Sequence, residues 1–355
     1  MSEAAVTAGR TGWRGNAGAQ VVTARPGLDP RRALQLILAG LWLLDAMLQY
    51  QAFMFTKAFG QMLAASAAGN PAVIARPITW DATLVSQHVV LLNTAFATIQ
   101  LLLGLGIAVR PTVRLALAAS IGWAVAVWWF GEGLGGVLTG GASPVNGAPG
   151  GVILYALLAV LLWPAARAPL DRAPLGRAPI GGALIGRALI GRAGGVPFVA
   201  ARAVGAHVAR ALWLVLWLSL AYFALTPANR APQALSVTIA SMESGEPGWL
   251  AAIDRGAAAL VAHQGLAASV ALAVALVIIA VAVYLPVRAA RAGLVLAVIV
   301  AAVIWVPGQD FGMILAGGAT DPDSGPLLAL LALAYWPART ALAAARPPRA
   351  AGTAS

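Results

Sequence analysis

The sequence predicts an all-α polytopic membrane protein. Eight transmembrane helices form two parallel four-helix repeats related by a pseudo-twofold axis along the membrane normal. Composition is the first observation behind this. The 355 residues are 60% hydrophobic and only 10% charged, where soluble globular domains carry about 25% charged residues. The second is a series of apolar runs, and the third is that landmarks of the first half return in the second in the same order.

Runs of the roughly 17–25 residues that cross a bilayer occupy 33–55, 84–108, 111–130, 210–226, 260–284 and 287–306. Two shorter runs, 148–164 and 326–337, each end in Trp-Pro (Trp163-Pro164 and Trp336-Pro337). They read as helices whose tryptophan sits at headgroup depth. Residues 1–32 are polar and carry five arginines. The run that follows is too long for a signal-peptide core, so the first helix is expected to be a retained anchor.

Charge placement sets the expected orientation. Residues 1–32, 165–210 and 338–355, with the turns at Arg110/Arg114 and Arg288/Arg291, hold nineteen arginines and three acids. The alternate loops hold four basic residues and eight acids. The positive-inside rule then places both termini and the central linker in the cytoplasm of a cell-membrane protein. The net charge of +11 is a topology signal with anionic lipid headgroups as partners, and no nucleic-acid partner is expected.

The internal duplication shows in paired landmarks. Trp42 matches Trp217, His88 matches His263, "GNP" at 69–71 matches "GEP" at 245–247, and Pro111 matches Pro286. "FGEGLGG" at 130–136 matches "PGQDFGM" at 307–313, and the offsets stay within 173–177 residues. The repeats are therefore 33–164 and 211–337. An even number of spans per unit gives both the same orientation. The 165–210 linker repeats "RAPLD RAPLG RAPIG GALIG RALIG", a Gly/Pro-rich pattern that suits a flexible tether.

Between the first two spans of each unit lie about thirty outer residues. Phe55, Phe59, Met62 and Leu63 follow helical spacing and predict an amphipathic surface helix, with Leu235, Ile239 and Met242 in similar roles. Thr79 is placed to cap the next helix. Such a helix either covers the bundle or acts as a lid over lateral access for a lipid-soluble ligand.

Asp45 is the strongest candidate site residue. It lies inside "LILAGLWLLDAMLQYQ", where a charge costs several kcal/mol unless paired or hydrated. Gln49 follows one turn later, and Asn93 and Gln100 share a face of the second span. Two polar stripes on neighbouring helices predict a buried pocket, although amide side chains also join membrane helices without other function. The matching second-half positions are Leu220, Ala224, Ala268 and Ala275. This pattern predicts one active and one supporting half.

His88 and His263 stand near the outer start of a second span in each repeat. Histidines there suit haem or metal ligation, a hydrogen bond to a quinone carbonyl, or a bond to a loop carbonyl. Glu132 in the first glycine-rich loop becomes Gln309 in the second. Asp321 and Asp323 have a D-x-D spacing that can hold Ca²⁺, and Asp, Pro, Ser and Gly also make turns. The absence of cysteine excludes disulfides and thiol chemistry on this chain. No nucleotide-binding, Ser-His-Asp or zinc-hydrolase pattern occurs.

A four-span unit with an Arg-led first span, "RRALQLILAGLWLLDAMLQ", and a long outer segment resembles the DoxX/DoxD-like membrane proteins. The resemblance covers both repeats. It implies a small membrane subunit of an oxidoreductase complex, in some members tied to quinone reduction. The duplication, the missing cysteines and the lack of a soluble redox domain depart from that pattern, and the resemblance identifies no catalytic residue. The functions it leaves are binding of a lipid-soluble redox molecule such as quinone, transport of a small solute or proton, and a scaffold for an outer partner.

Overall fold

A computed structural model describes residues 29–164 and 198–337, apart from Ser244. The two tails and the arginine repeat of the linker lie outside the described residues. Twelve helices of eight or more residues make up the described chain. In the first half they are α1 (Pro30–Leu48), α2 (Lys57–Ala65), α3 (Ala72–Gln87), α4 (Val89–Ala108), α5 (Val113–Phe130) and α6 (Gly151–Leu161). In the second they are α7 (Ala206–Ala224), α8 (Ala234–Met242), α9 (Gly248–Val261), α10 (Gly265–Ala282), α11 (Val287–Trp305) and α12 (Ser324–Ala334). No strand occurs among the described residues.

The same partners pack in each half: α1 on α4 and α7 on α10, α5 on α6 and α11 on α12, α2 on α3 and α8 on α9. The halves meet mainly through α6 and α12. The core between them is rich in large side chains, with Trp42, Tyr155, Trp213 and Trp217 all within 1% of complete burial.

Five helices are long and apolar enough to cross a membrane: α4, α5, α7, α10 and α11. The other three expected spans differ, each for a visible reason. Helix α1 is 19 residues long but includes Arg31, Arg32 and Asp45. Helices α6 and α12 have 11 residues each. At 1.5 Å per residue that is about half of a ~30 Å hydrocarbon core. Irregular loops lead into both, and Ala142–Val145 and Ala148 of the first loop are buried against protein. Such backbone is tolerated at membrane depth when protein covers it.

Run boundaries also shift. The 33–55 run breaks after Leu48, where Gln51 Nε2 donates to the Leu48 carbonyl at 2.9 Å and to Ala319 of the second half at 2.9 Å. The 84–108 run breaks at His88, whose backbone (φ −127°, ψ 38°) separates α3 from α4. In the second half the break falls at His263, with φ +61°. Thr79 is no cap: α3 already begins at Ala72, and Thr79 Oγ1 donates to the Arg76 carbonyl within the helix at 2.9 Å.

Phe55 lies in a separate 3₁₀ turn before α2. Phe59 and Leu63 are buried, packed with Ala82 and Val85 of α3, so α2 covers the bundle. The linker is not a tether throughout: Phe198 stacks on Tyr335 at 5.0 Å, and Ala200 N–H donates to the Ala334 carbonyl at 3.0 Å. Helix α7 therefore starts at Ala206, earlier than expected.

The two glycine-rich loops share an unusual backbone. Gly133, Leu134, Gly135 and Gly136 all have positive φ, and so do Asp310, Phe311, Gly312 and Met313. Four consecutive left-handed residues make a tight reversal that few L-residues adopt without cost. In both loops a tryptophan closes the reversal. Trp128 Nε1 donates to the Pro149 carbonyl at 2.6 Å and Trp305 Nε1 to that of Pro322 at 2.8 Å.

Candidate functional site

The site is built on the loop-side end of α1. Trp42, Asp45 and Gln49 sit at i, i+3 and i+7, so all three face the bundle. Asp45 is 1% exposed and accepts a hydrogen bond from Tyr155 Oη at 2.9 Å. The Trp42 and Tyr155 rings lie 4.2 Å apart, and Trp42 Nε1 donates to Ser120 Oγ at 3.0 Å. Helices α1, α5 and α6 are thereby tied to one buried polar point.

Above this point lies a cavity of about 210 Å³. Asp45, Gln49, Gln100, Glu132 and Asp321 supply its main polar groups, and Phe59, Phe96, Trp123 and Phe130 much of its apolar wall. Phe96 of α4 and Trp123 of α5 are half-buried, with ring centroids 5.6 Å apart. They stand at the side of the bundle where two span-length helices meet. The cavity contains buried, unpartnered acceptors: Gln49 Oε1, Gln100 Oε1 and Glu132 Oε2. Leaving such a group unbonded costs ~1–3 kcal/mol, so this side of the cavity suits a ligand that offers donors or shares protons.

Glu132 also caps a helix, and Asp321 braces the residue that caps another. Glu132 Oε1 accepts from Val152 N–H at 3.0 Å, at the first turn of α6. Asp321 accepts from Asp323 N–H at 2.7 Å and from Thr320 Oγ1 at 2.9 Å. Asp323 caps α12 through Ser324 N–H at 2.6 Å. Burial raises the carboxyls of Glu132 and Asp321 above their ordinary range. Burial, then the neighbouring Asp321, pushes Asp323 up to about 7. No lysine, arginine or histidine lines the cavity among the described residues.

Of the residues singled out in the sequence, Asp45, Gln49, Gln100 and Glu132 come together. Asn93 is fully buried but holds α4 to α1 through a bond from Nδ2 to the Gln49 carbonyl at 2.7 Å. His88 and His263 are exposed at helix junctions, and neither lines the cavity. Asp321 lines the cavity beside the acids of the first half, and its carboxylate accepts from the Asp323 N–H. Among the described residues no three His, Asp or Glu side chains are arranged to hold a metal ion.

Tyr155 and the reach of Asp321 across the two halves were not read from sequence. One available signal was Tyr155 itself, a phenol in an otherwise apolar short helix, since a buried phenol needs a partner. The second half lacks the same constellation. At the positions of Asp45 and Tyr155 it has Leu220 and Leu328, both buried. At the position of Ser120 it has Ala297, and the Trp217 indole N–H is left without a partner. Gln309 retains only the capping role of Glu132, accepting from Gly325 N–H at 3.3 Å.

A second acidic group sits under the outer helices of the second half. Asp254 and Asp310 are fully buried, and their carboxyls lie within hydrogen-bonding reach of each other. Ionised, all four oxygens lack a donor; a proton on one supplies it. Burial, then Asp254, pushes Asp310 up to about 7. No family model, curated protein or solved structure matches the chain.

Proposed function

We propose that the protein is an eight-crossing component of the cell membrane with both termini cytoplasmic, whose first half binds a lipid-soluble redox molecule of the quinone class. The five span-length helices and the arginine distribution support that topology. Helices α1, α6 and α12 complete the eight crossings with help from the buried loops. The recurring helix order and the matched left-handed loops support a pseudo-twofold relation between halves.

The observation that carries the ligand reading is the Asp45–Glu132–Asp321 cavity itself: an aromatic-walled space with acids at its base and, among the described residues, no basic residue lining it. A carboxyl kept neutral by its surroundings donates a hydrogen bond, which a quinone carbonyl accepts, and a planar ring can pack against the aromatic wall that Trp123 and Phe96 form together. The DoxX/DoxD-like resemblance supports a role beside an oxidoreductase. A transport reading is less well supported. Toward the cytoplasmic end Leu38, Trp42, Leu117, Tyr155 and Leu158 are all at most 1% exposed and close the bundle.

The test is a titration of protein in lipid nanodiscs with a short-chain quinone, followed by tryptophan fluorescence. Saturable quenching is expected, reduced in Trp123→Phe because that indole lines the site. Quenching that rises linearly with quinone, as partition into lipid gives, would overturn the reading.

A further inference from the structure

A second space borders the cavity. Beside it lies a vestibule of about 670 Å³, formed between the glycine-rich loops of the two halves. Met62, Glu132, Thr320 and Asp321 line both spaces. The vestibule walls are mostly backbone and small side chains, including Gly135, Gly136, Gly147 and Gly318. Each loop is held by an amide of the opposite half. Asn229 Nδ2 donates to the Ala142 carbonyl at 2.7 Å, and Gln51 Nε2 donates to that of Ala319 at 2.9 Å. The passage is thus a product of the duplication, since neither half encloses it alone. One water needs only ~10–15 Å³ of such volume, so there is ample room for connected waters.

We propose that this vestibule is a proton inlet: it joins the loop-side surface to Asp323, Asp321 and Glu132, and through the cavity to Asp45, which exchanges protons with that surface alone. The closed packing around Trp42 and Tyr155 bars the other side. The unpartnered Glu132 Oε2 and the amide oxygens of Gln49 and Gln100 are the acceptors along the way. Tyr155 from α6 and Asp81 from α3 are the remaining titratable groups facing the route. No lysine, arginine or histidine lines either space among the described residues.

Inward, a hydronium ion in the vestibule protonates the Asp321 carboxylate and leaves water. That O–H bond then breaks as one forms on Glu132, and the Glu132 bond breaks as one forms on Asp45. No electrons move, and the reverse sequence returns hydronium outside. The inference goes beyond the quinone reading, because it concerns how Asp45 is charged and discharged whatever the cavity holds.

The test is infrared spectroscopy of the reconstituted protein on transfer from H₂O to D₂O. Glu132→Gln and Asp45→Asn assign the protonated-carboxyl bands by their loss. Thr139→Cys and Met242→Cys place a thiol in the vestibule, one from each half, in a chain with no other cysteine. Rapid exchange is expected in the native protein and in both unlabelled variants. A bulky thiol label should slow exchange by about tenfold or more, since exchange then waits for local opening. A rate unchanged by either label, or an absence of exchangeable carboxyl bands, overturns the proposal. The quinone titration is read separately, so loss of quinone binding with label-gated exchange intact would overturn only the ligand reading.

Discussion

At residue scale, Asp45 and Tyr155 are a polar pair in a place where the same protein also packs leucines. Leu220 and Leu328 show that the four-helix unit does not need the pair to fold. The energetics of buried pairs then set an asymmetric expectation. Tyr155→Phe leaves a buried carboxyl without its donor and should cost ~1–3 kcal/mol. Asp45→Leu combined with Tyr155→Phe removes both partners and should restore stability to within about 1 kcal/mol of native. Thermal unfolding in detergent measures both, and a double variant no more stable than the single would contradict this. Asp310 gives a pH effect. Its carboxyl is raised from 3.8 to about 7 in the folded protein, so its contribution is complete below about pH 4 and is lost as pH rises through 7. The slope is ~1.4 kcal/mol per pH unit for one proton. Asp310→Asn should flatten the melting profile across that window. Asp45 could be read from sequence because a lone acid stands out in an apolar run. Tyr155 could not, because its partner is 110 residues away and an intramembrane tyrosine serves equally as a headgroup anchor.

At element scale, the two left-handed loops fix where α6 and α12 begin and so where the acids stand. A Cβ on Gly135 would lie 2.1 Å from the Pro149 carbonyl oxygen, whereas one on Gly140 meets nothing within 4 Å. Both have positive φ. Gly140→Ala should therefore cost only the ~1 kcal/mol of an unfavourable backbone region, and Gly135→Ala clearly more, as chemical denaturation will show. Glu132→Gln should leave stability nearly unchanged, because Gln309 already caps the equivalent helix, while abolishing proton exchange at that position. Hydropathy made the five span-length helices visible but hid the breaks at His88 and His263, since apolar residues continue on both sides. It also carried both short runs past the helix ends, to Trp163-Pro164 and Trp336-Pro337, because the residues after Leu161 and Ala334 are as apolar as the helices themselves.

For the whole molecule, the two halves pack the same helices in the same order but differ in their polar residues. The first holds the polar cavity, and the second supplies Asp321 and one wall of the vestibule, with buried leucines, Leu220 and Leu328, where the first has Asp45 and Tyr155. The recurring order of helices was readable from the spacing of Trp42, His88, Pro111 and their matches. The contact between halves was not, because nothing in "GGATDPDSGP" distinguishes a turn from a group that reaches into the neighbouring repeat. The topology is open to labelling on the cysteine-free background. Asn146→Cys, exposed on the first loop, should react in intact cells, and Arg110→Cys only after permeabilisation; the opposite pattern would invert the orientation. The ligand site itself is tested most directly by photolabelling with an azido-quinone and mapping the adducts by mass spectrometry. Adducts are expected on Met62, Phe96 and Trp123, suppressed by excess unlabelled quinone and absent from the matching region of the second half. Adducts spread over lipid-facing positions of both halves, or untouched by competition, would contradict it.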